Sequence, residues 1–225
     1  MMRKLLLILL YPMMVLALYC AFLYAPREAV MGEVQRIFYF HFSAGWLSFL
    51  AFFVLFVFSI VYLATGVKKY DTWASASAEI GVIFSTLVLV TGPLWARPVW
   101  NTWWTWDPRL TTFLMLWLLY VAYLLLRANM EESDKKYQIS AILGIIAFID
   151  VPITFMSIRW WRTIHPVVIT SKSMNLESKM KVAMFVAVGA FTLFYAVLLD
   201  LRVRQKNQEY RLAIGQRSAN AEQME

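Results

Sequence analysis

Six stretches of the chain stay apolar for about the 20 residues that a helix needs to cross roughly 30 Å of hydrocarbon. They run from Leu5 to Leu23, Phe40 to Ala64, Ala76 to Leu94, Leu110 to Leu126, Ile139 to Met156 and Lys181 to Leu201. Two are interrupted by polar groups. The third carries Ser77, Glu79, Ser85, Thr86 and Thr91, and the fifth contains Asp150 and Pro152. No period-two alternation points to a barrel, and backbone groups in lipid have to be satisfied within their own segment, so all six are predicted as helices. The fold class is an all-α integral membrane protein with six transmembrane helices. Small residues mark two packing faces, Gly81 and Ser85 on the third helix and Ser43, Ala44, Gly45 and Ser48 on the second, where they also leave room beside His41.

The connections set an orientation. Placing the amino terminus, the Lys68/Lys69 turn, the Arg127 to Lys136 loop and the C-terminal tail on one side puts 12 of the 21 Lys and Arg residues there. That side is predicted to be cytoplasmic, with both termini on it. The opening Met-Met-Arg-Lys resembles a signal peptide, but the apolar run after it is long and lacks a small-x-small cleavage site, so it is expected to remain as a helix. Residues 1–201 form one six-helix membrane domain with external loops at 24–39, 95–109 and 157–180, followed by a polar cytoplasmic tail at 202–225, helical at first and then frayed.

Composition agrees and narrows the chemistry. At 61% hydrophobic and 16% charged residues the chain is more apolar than a soluble domain of this length requires. The net charge of +7 is scattered among loops and tail without a dense patch, which fits membrane topology and not nucleic-acid binding. A single cysteine, Cys20, excludes an intrachain disulfide and a Cys-x-x-Cys-His haem attachment site. Neither a catalytic triad nor a phosphate loop is present, so no independent catalytic motif marks an enzyme.

The informative polar stretch is Trp95-Ala-Arg97-Pro-Val-Trp100-Asn-Thr-Trp103-Trp104-Thr-Trp106-Asp107-Pro-Arg109, which holds five of the ten tryptophans. Two prolines disfavour a continuous helix here, so the stretch reads as a loop joining helices three and four on the external side. An interfacial belt spreads aromatics over many helix ends; five indoles in one loop beside Asp107 and Arg109 make a ligand platform instead. The chain has two histidines, His41 after Arg36-Ile-Phe-Tyr-Phe and His165 after Trp160-Trp161-Arg-Thr-Ile, and both fall on the same external face. A pair of neutral imidazoles suits the axial positions of haem iron, and Arg36, Arg97 or Arg109 suits its propionates. Three other readings stay open on the residues alone: a transporter with an aromatic cage for an organic cation, a transmembrane electron-transfer cytochrome, and a scaffold that docks a partner through its tryptophans.

Taken together, Gly92-Pro-Leu-Trp95 through Arg109-Leu-Thr, Tyr39-Phe-His41 and Trp160-Trp161-Arg-Thr-Ile-His165 resemble the CcmC family of haem-handling membrane proteins in cytochrome c maturation. The likeness covers nearly the whole chain except the tail. The tryptophan-rich signature ending in Trp-Asp is shared with larger relatives, CcmF and the CcsA type, and the short length points to CcmC. The resemblance implies that His41 and His165 are axial ligands of a non-covalently and transiently held haem b. It implies that the loop with Trp95, Trp100, Trp103, Trp104, Trp106 and Asp107 forms the external haem platform, and Arg36 and Arg109 match family positions at the haem site; Arg97, by its charge, and Trp160 and Trp161, by their place beside His165, are further candidates for the site. It further implies presentation of haem to the chaperone CcmE, with the ABC transporter components CcmA and CcmB and the small protein CcmD as partners, in a bacterial or archaeal cytoplasmic membrane. Three positions depart from the family pattern: Ala96 for glycine, Pro166 for glutamine and Asp150 for asparagine.

Overall fold

The computed structural model describes residues 2–165, 174 and 176–222. Among them the regular elements are all helical, in the order α1 (Met2–Tyr19), α2 (Ile37–Thr65), α3 (Lys68–Trp100), α4 (Pro108–Asn129), α5 (Asp134–Phe148), α6 (Asp150–Trp160) and α7 (Ser178–Glu222). A π turn over Cys20–Tyr24 extends α1, and a 3-10 turn over Glu33–Arg36 leads into α2. With α5 and α6 forming one stretch, six helical segments are long and apolar enough to cross a membrane, as the hydrophobic pattern predicts.

Local chemistry accounts for the boundaries. Gly66 ends α2 in the left-handed region at φ 69°, and its N–H reaches the Tyr62 carbonyl at 2.8 Å, the usual closure of a helix by glycine. Ser133 caps α5 by accepting from the Lys136 N–H, and Asp107 caps α4 with Pro108 at the first helical position. The junction of α5 and α6 at Ile149 follows from Pro152, whose ring would meet the carbonyl of Phe148, the last residue of α5.

One expected boundary is corrected. The loop predicted from Trp95 to Arg109 is shorter, because α3 runs through both Pro93 and Pro98 and ends only at Trp100. Each proline removes one backbone bond without stopping the helix, and the Arg97 guanidinium closes the end by donating to the Asn101 carbonyl and side-chain oxygens at 2.7 and 2.8 Å. Trp95, Arg97 and Trp100 therefore stand on helix, and the irregular segment is Asn101 to Asp107.

The helices α2 and α3 form the central hairpin, with α5, α7 and α4 packed around it and α1 lying on α7. The core of the bundle holds Leu47, Phe52, Leu55, Leu116, Tyr120 and Tyr123, all fully buried. Phe52 and Tyr120 stack at 3.5 Å between centroids. The small-residue faces on α2 and α3 do pack: Ser43, Ala44, Ser48, Ala78 and Ser85 are buried, and Ser77 donates to the Ala51 carbonyl at 2.6 Å. A second cluster holds Ala17 and Ala21 of the first span together with Ala183, Ala187 and Ala190 of α7, all buried. Ion pairs tie the pole that carries Gly66: Arg127 grips Asp71 with two bonds of 2.6 and 2.8 Å, and Glu79 is bound by Arg202 and Lys206 of α7. The other pole gathers the start of α2, the end of α3, the start of α4 and the end of α6 around one cavity.

Candidate functional site

His41 enters the site one turn into α2 and faces α3. Its Nδ1 lies 2.8 Å from the Thr91 hydroxyl, which donates its own proton to the Leu87 carbonyl at 2.7 Å. A hydroxyl has one proton to give, so Thr91 accepts from His41, Nδ1 carries the imidazole proton, and Nε2 keeps its lone pair. That is the tautomer a metal ligand needs, held by an outer partner. The two residues lie at equal distances along the chain from the turn at Gly66, on the two facing helices of the α2–α3 hairpin.

His165 comes from the irregular stretch after α6. Trp95 is 6.4 Å, ring to ring, from both His41 and His165, and Trp100 is 6.4 Å from His165 and 5.8 Å from Trp95. The two histidines of the chain thus meet around one indole, as their common face predicts. Trp95 is buried, lines the cavity, and its Nε1–H has no partner among the described residues. A buried N–H donor without an acceptor is costly, and a ligand with an acceptor group would relieve it.

The cavity has a volume of about 340 Å³, within the range of small-molecule sites. Its wall is mostly aromatic, with Phe38 and Phe42 close to His41 in α2, Trp46 and Phe49 one to two turns further along that helix, and Phe113 and Phe155 from α4 and α6, and Gly45 gives the space that the sequence anticipates there. Arg109 and Arg159 are its charged lining; no carboxylate lines it among the described residues. Arg109 donates through Nη1 to the Thr154 carbonyl and lies 5.7 Å from the Phe49 ring centre. The site therefore offers two imidazoles, indole and phenyl faces, and positive charge, groups that suit a flat, apolar ligand with an anionic edge.

The remaining predicted residues occupy distinct places. Trp104 lines the cavity, whereas Trp103 and Trp106 are exposed beside it, Trp103 under the Arg97 guanidinium and Trp106 edge-on to Trp104. Trp160 and Trp161 are exposed and pack edge to face on each other at the end of α6. Arg36 does not line the cavity: it pairs with Glu33 and donates to the Ala21 carbonyl at 2.6 Å, closing the end of the first span. Asp107 is buried and turned away from the cavity, accepting from the Arg109 N–H, the Thr163 hydroxyl and the Ile164 N–H at 2.9, 2.7 and 2.9 Å. Asp150 is buried in the first turn of α6, where the Thr154 hydroxyl donates to it at 3.4 Å. Pro166 lies outside the described residues.

Sequence reasoning passes over Thr91 and over Arg159 as a cavity residue. Thr91 was within reach, since an antiparallel hairpin with a tight turn pairs positions equidistant from that turn. The place of Arg159 depends on the helical phase of α6 after the Ile149 break, which no local pattern in the sequence gives.

The chain was also compared with known proteins. The family model CcmC, described as Heme exporter protein C, matches residues 1–218. Heme exporter protein C of Bradyrhizobium diazoefficiens is 35% identical over 179 residues, 77% of this chain and 67% of the relative. Heme exporter protein C of Escherichia coli is 31% identical over 181 residues, 80% and 74% of the two chains. A putative cytochrome c biosynthesis ccmC-like mitochondrial protein of Marchantia polymorpha is 30% identical over 191 residues, 84% and 81%. The resemblance drawn from the tryptophan-rich stretch and the two histidine segments thus extends over almost the entire sequence, and the chain belongs to the CcmC family, Heme exporter protein C.

Proposed function

We propose that the cavity holds haem between His41 and His165 at the extracytoplasmic face and presents it to the haem chaperone CcmE for cytochrome c maturation. The observation that carries this reading is the pairing of both histidines at one cavity, with His41 Nδ1 at 2.8 Å from the Thr91 hydroxyl and Nε2 not engaged by that bond. Family membership supports a part in haem handling for cytochrome c maturation.

Each residue has a task in this reading. His41 supplies an axial nitrogen from a rigid helix, and His165 supplies the second from the segment after α6. Two nitrogen ligands fill both axial positions, which suits holding and not turnover. Trp95 stands beside both imidazoles, tilted to His41 and edge-on to His165, and offers its indole N–H. Arg109 keeps guanidinium N–H groups beyond the one bound to Thr154 and can receive a propionate, and Arg159 adds positive charge. Arg36 and Arg97 act on the frame of the site by closing the ends of the first span and of α3. Trp103 and Trp106 carry the exposed apolar edge across which haem b, held without a covalent bond, passes to its acceptor. CcmA, CcmB and CcmD are the further partners of this reading.

The charge of the lining opposes the organic-cation transporter, because Arg109 and Arg159 line the cavity and no carboxylate does so among the described residues. The location at one pole of the bundle opposes a cytochrome that carries electrons through the membrane, which would need haem nearer its middle. Purification in detergent from haem-replete cells, with spectra of the wild type, His41→Ala and His165→Ala, tests the proposal. Low-spin haem in the wild type and its loss in either variant is expected; full haem content and an unchanged low-spin spectrum in both variants would sink it.

A further inference from the structure

We infer that Asp107 is the positioning residue for His165: its carboxylate fastens the segment after α6 to the start of α4 and so sets where the imidazole stands, without touching the ligand itself. The inference rests on the reading of His165 as an axial ligand.

The geometry is a clasp. Asp107 Oδ1 accepts the Arg109 N–H at 2.9 Å and the Thr163 hydroxyl at 2.7 Å, and Oδ2 accepts the Ile164 N–H at 2.9 Å. Thr163, having given its proton to Asp107, accepts the His165 N–H at 3.0 Å. One buried carboxylate thus joins two elements 56 residues apart and reaches the backbone of His165 through a single hydroxyl. Both oxygens are engaged in this way, and Asp107 is absent from the cavity wall.

The two histidines are held by different means. His41 is fixed by the α2 helix and by Thr91. His165 follows α6 in a stretch without regular structure, where Thr163 and Ile164 are anchored by Asp107. Charge-assisted bonds from a carboxylate to an N–H and a hydroxyl are strong ones, and a buried carboxylate stripped of either partner is costly, so the clasp favours one placement of the segment. Removing a partner that orients a metal ligand typically costs 10 to 100-fold in affinity.

The test uses the full chain purified from haem-replete cells, with spectra of Asp107→Ala, Asp107→Asn, Thr163→Val and His165→Ala, each before and after adding imidazole. Asp107→Ala is expected to lose the low-spin signature and become five-coordinate on His41, and imidazole is expected to restore it, as in His165→Ala. Asp107→Asn keeps one acceptor oxygen and should lose less. Thr163→Val leaves the α4 cap in place and should shift the spectrum the same way; it decides the matter if Asp107→Ala fails to accumulate. Wild-type low-spin spectra in Asp107→Ala and Thr163→Val, beside a clear loss in His165→Ala, would overturn the inference and leave the haem site standing. An unchanged spectrum in His165→Ala would instead remove the ligand assignment and this inference with it.

Discussion

His41 and Thr91 meet across the α2–α3 hairpin at 2.8 Å, and the threonine proton is already committed to the Leu87 carbonyl. The imidazole is therefore the donor in this pair, and Nε2 is the nitrogen left for a metal. Thr91→Val keeps the shape and removes the acceptor, so the ring can turn or change tautomer. Haem titration of the apoprotein should show affinity falling by about 10 to 100-fold, the usual cost of losing an outer partner of a metal ligand. Thr91→Ser restores the hydroxyl and should recover most of it. Equal affinities in the wild type and Thr91→Val would show that the hydrogen bond does not set the ligand.

Much of this fold is written in the hydrophobic pattern, because a bilayer imposes a length and allows few backbone solutions. All six apolar runs become helices, and the two histidines do share one pole. The tryptophan stretch was harder to read. Pro98 and Pro108 argue for a loop by their local chemistry, yet α3 absorbs Pro98, as it does Pro93, and stops only where Arg97 binds the Asn101 carbonyl, while Pro108 opens α4. The roles within the site were harder still. Arg36, Arg97 and Arg109 are alike as charges near aromatic residues, and only side-chain placement separates Arg109 in the cavity wall from the two that close helix ends. Asp107 reads as a ligand contact in sequence, and its bonds to Thr163 and Ile164 depend on the docking of α4 against α6, which no local pattern encodes.

Arg109 should discriminate the ligand by charge. Its guanidinium lines a cavity that has no carboxylate among the described residues, so haem with free propionates is expected to bind more tightly than its dimethyl ester. A hydrogen bond to a charged group contributes about 1.5–3 kcal/mol, or roughly 10 to 100-fold. Arg109→Gln should reduce the preference toward unity, measured by competition between the two porphyrins. A preference that survives the substitution intact would assign the propionate to another group.

Asp71 and Arg127 should govern stability without governing the haem spectrum. They form a two-bond ion pair, largely buried, at the pole away from the cavity. Removing one partner strands the other charge, which costs about 3–5 kcal/mol. Asp71→Ala should lower the thermal midpoint in detergent sharply, and the double variant with Arg127→Met should be milder than Asp71→Ala alone. The spectrum of whatever haem remains bound should stay low-spin in both. A spectral change would link the two poles in a way the ion pair by itself does not require.

Gly81 should tolerate no side chain, because the core around it has nowhere to move. A Cβ at this position would stand 2.5 Å from the Phe52 ring. Phe52 is fully buried and stacked on Tyr120 at 3.5 Å with the rings nearly parallel, so retreat would drive it into its neighbour. The alternative is separation of α2 from α3, the hairpin that holds His41 against Thr91. Overpacking of this kind typically costs about 1–3 kcal/mol, which Gly81→Ala should show as a lower thermal midpoint. Phe52→Leu removes the ring that is struck, so its combination with Gly81→Ala should be less destabilised than the sum of the two single variants, the sign expected for residues in contact. Strict additivity would mean that the hairpin opens to admit the methyl group, and haem affinity should then fall in Gly81→Ala together with the His41–Thr91 contact.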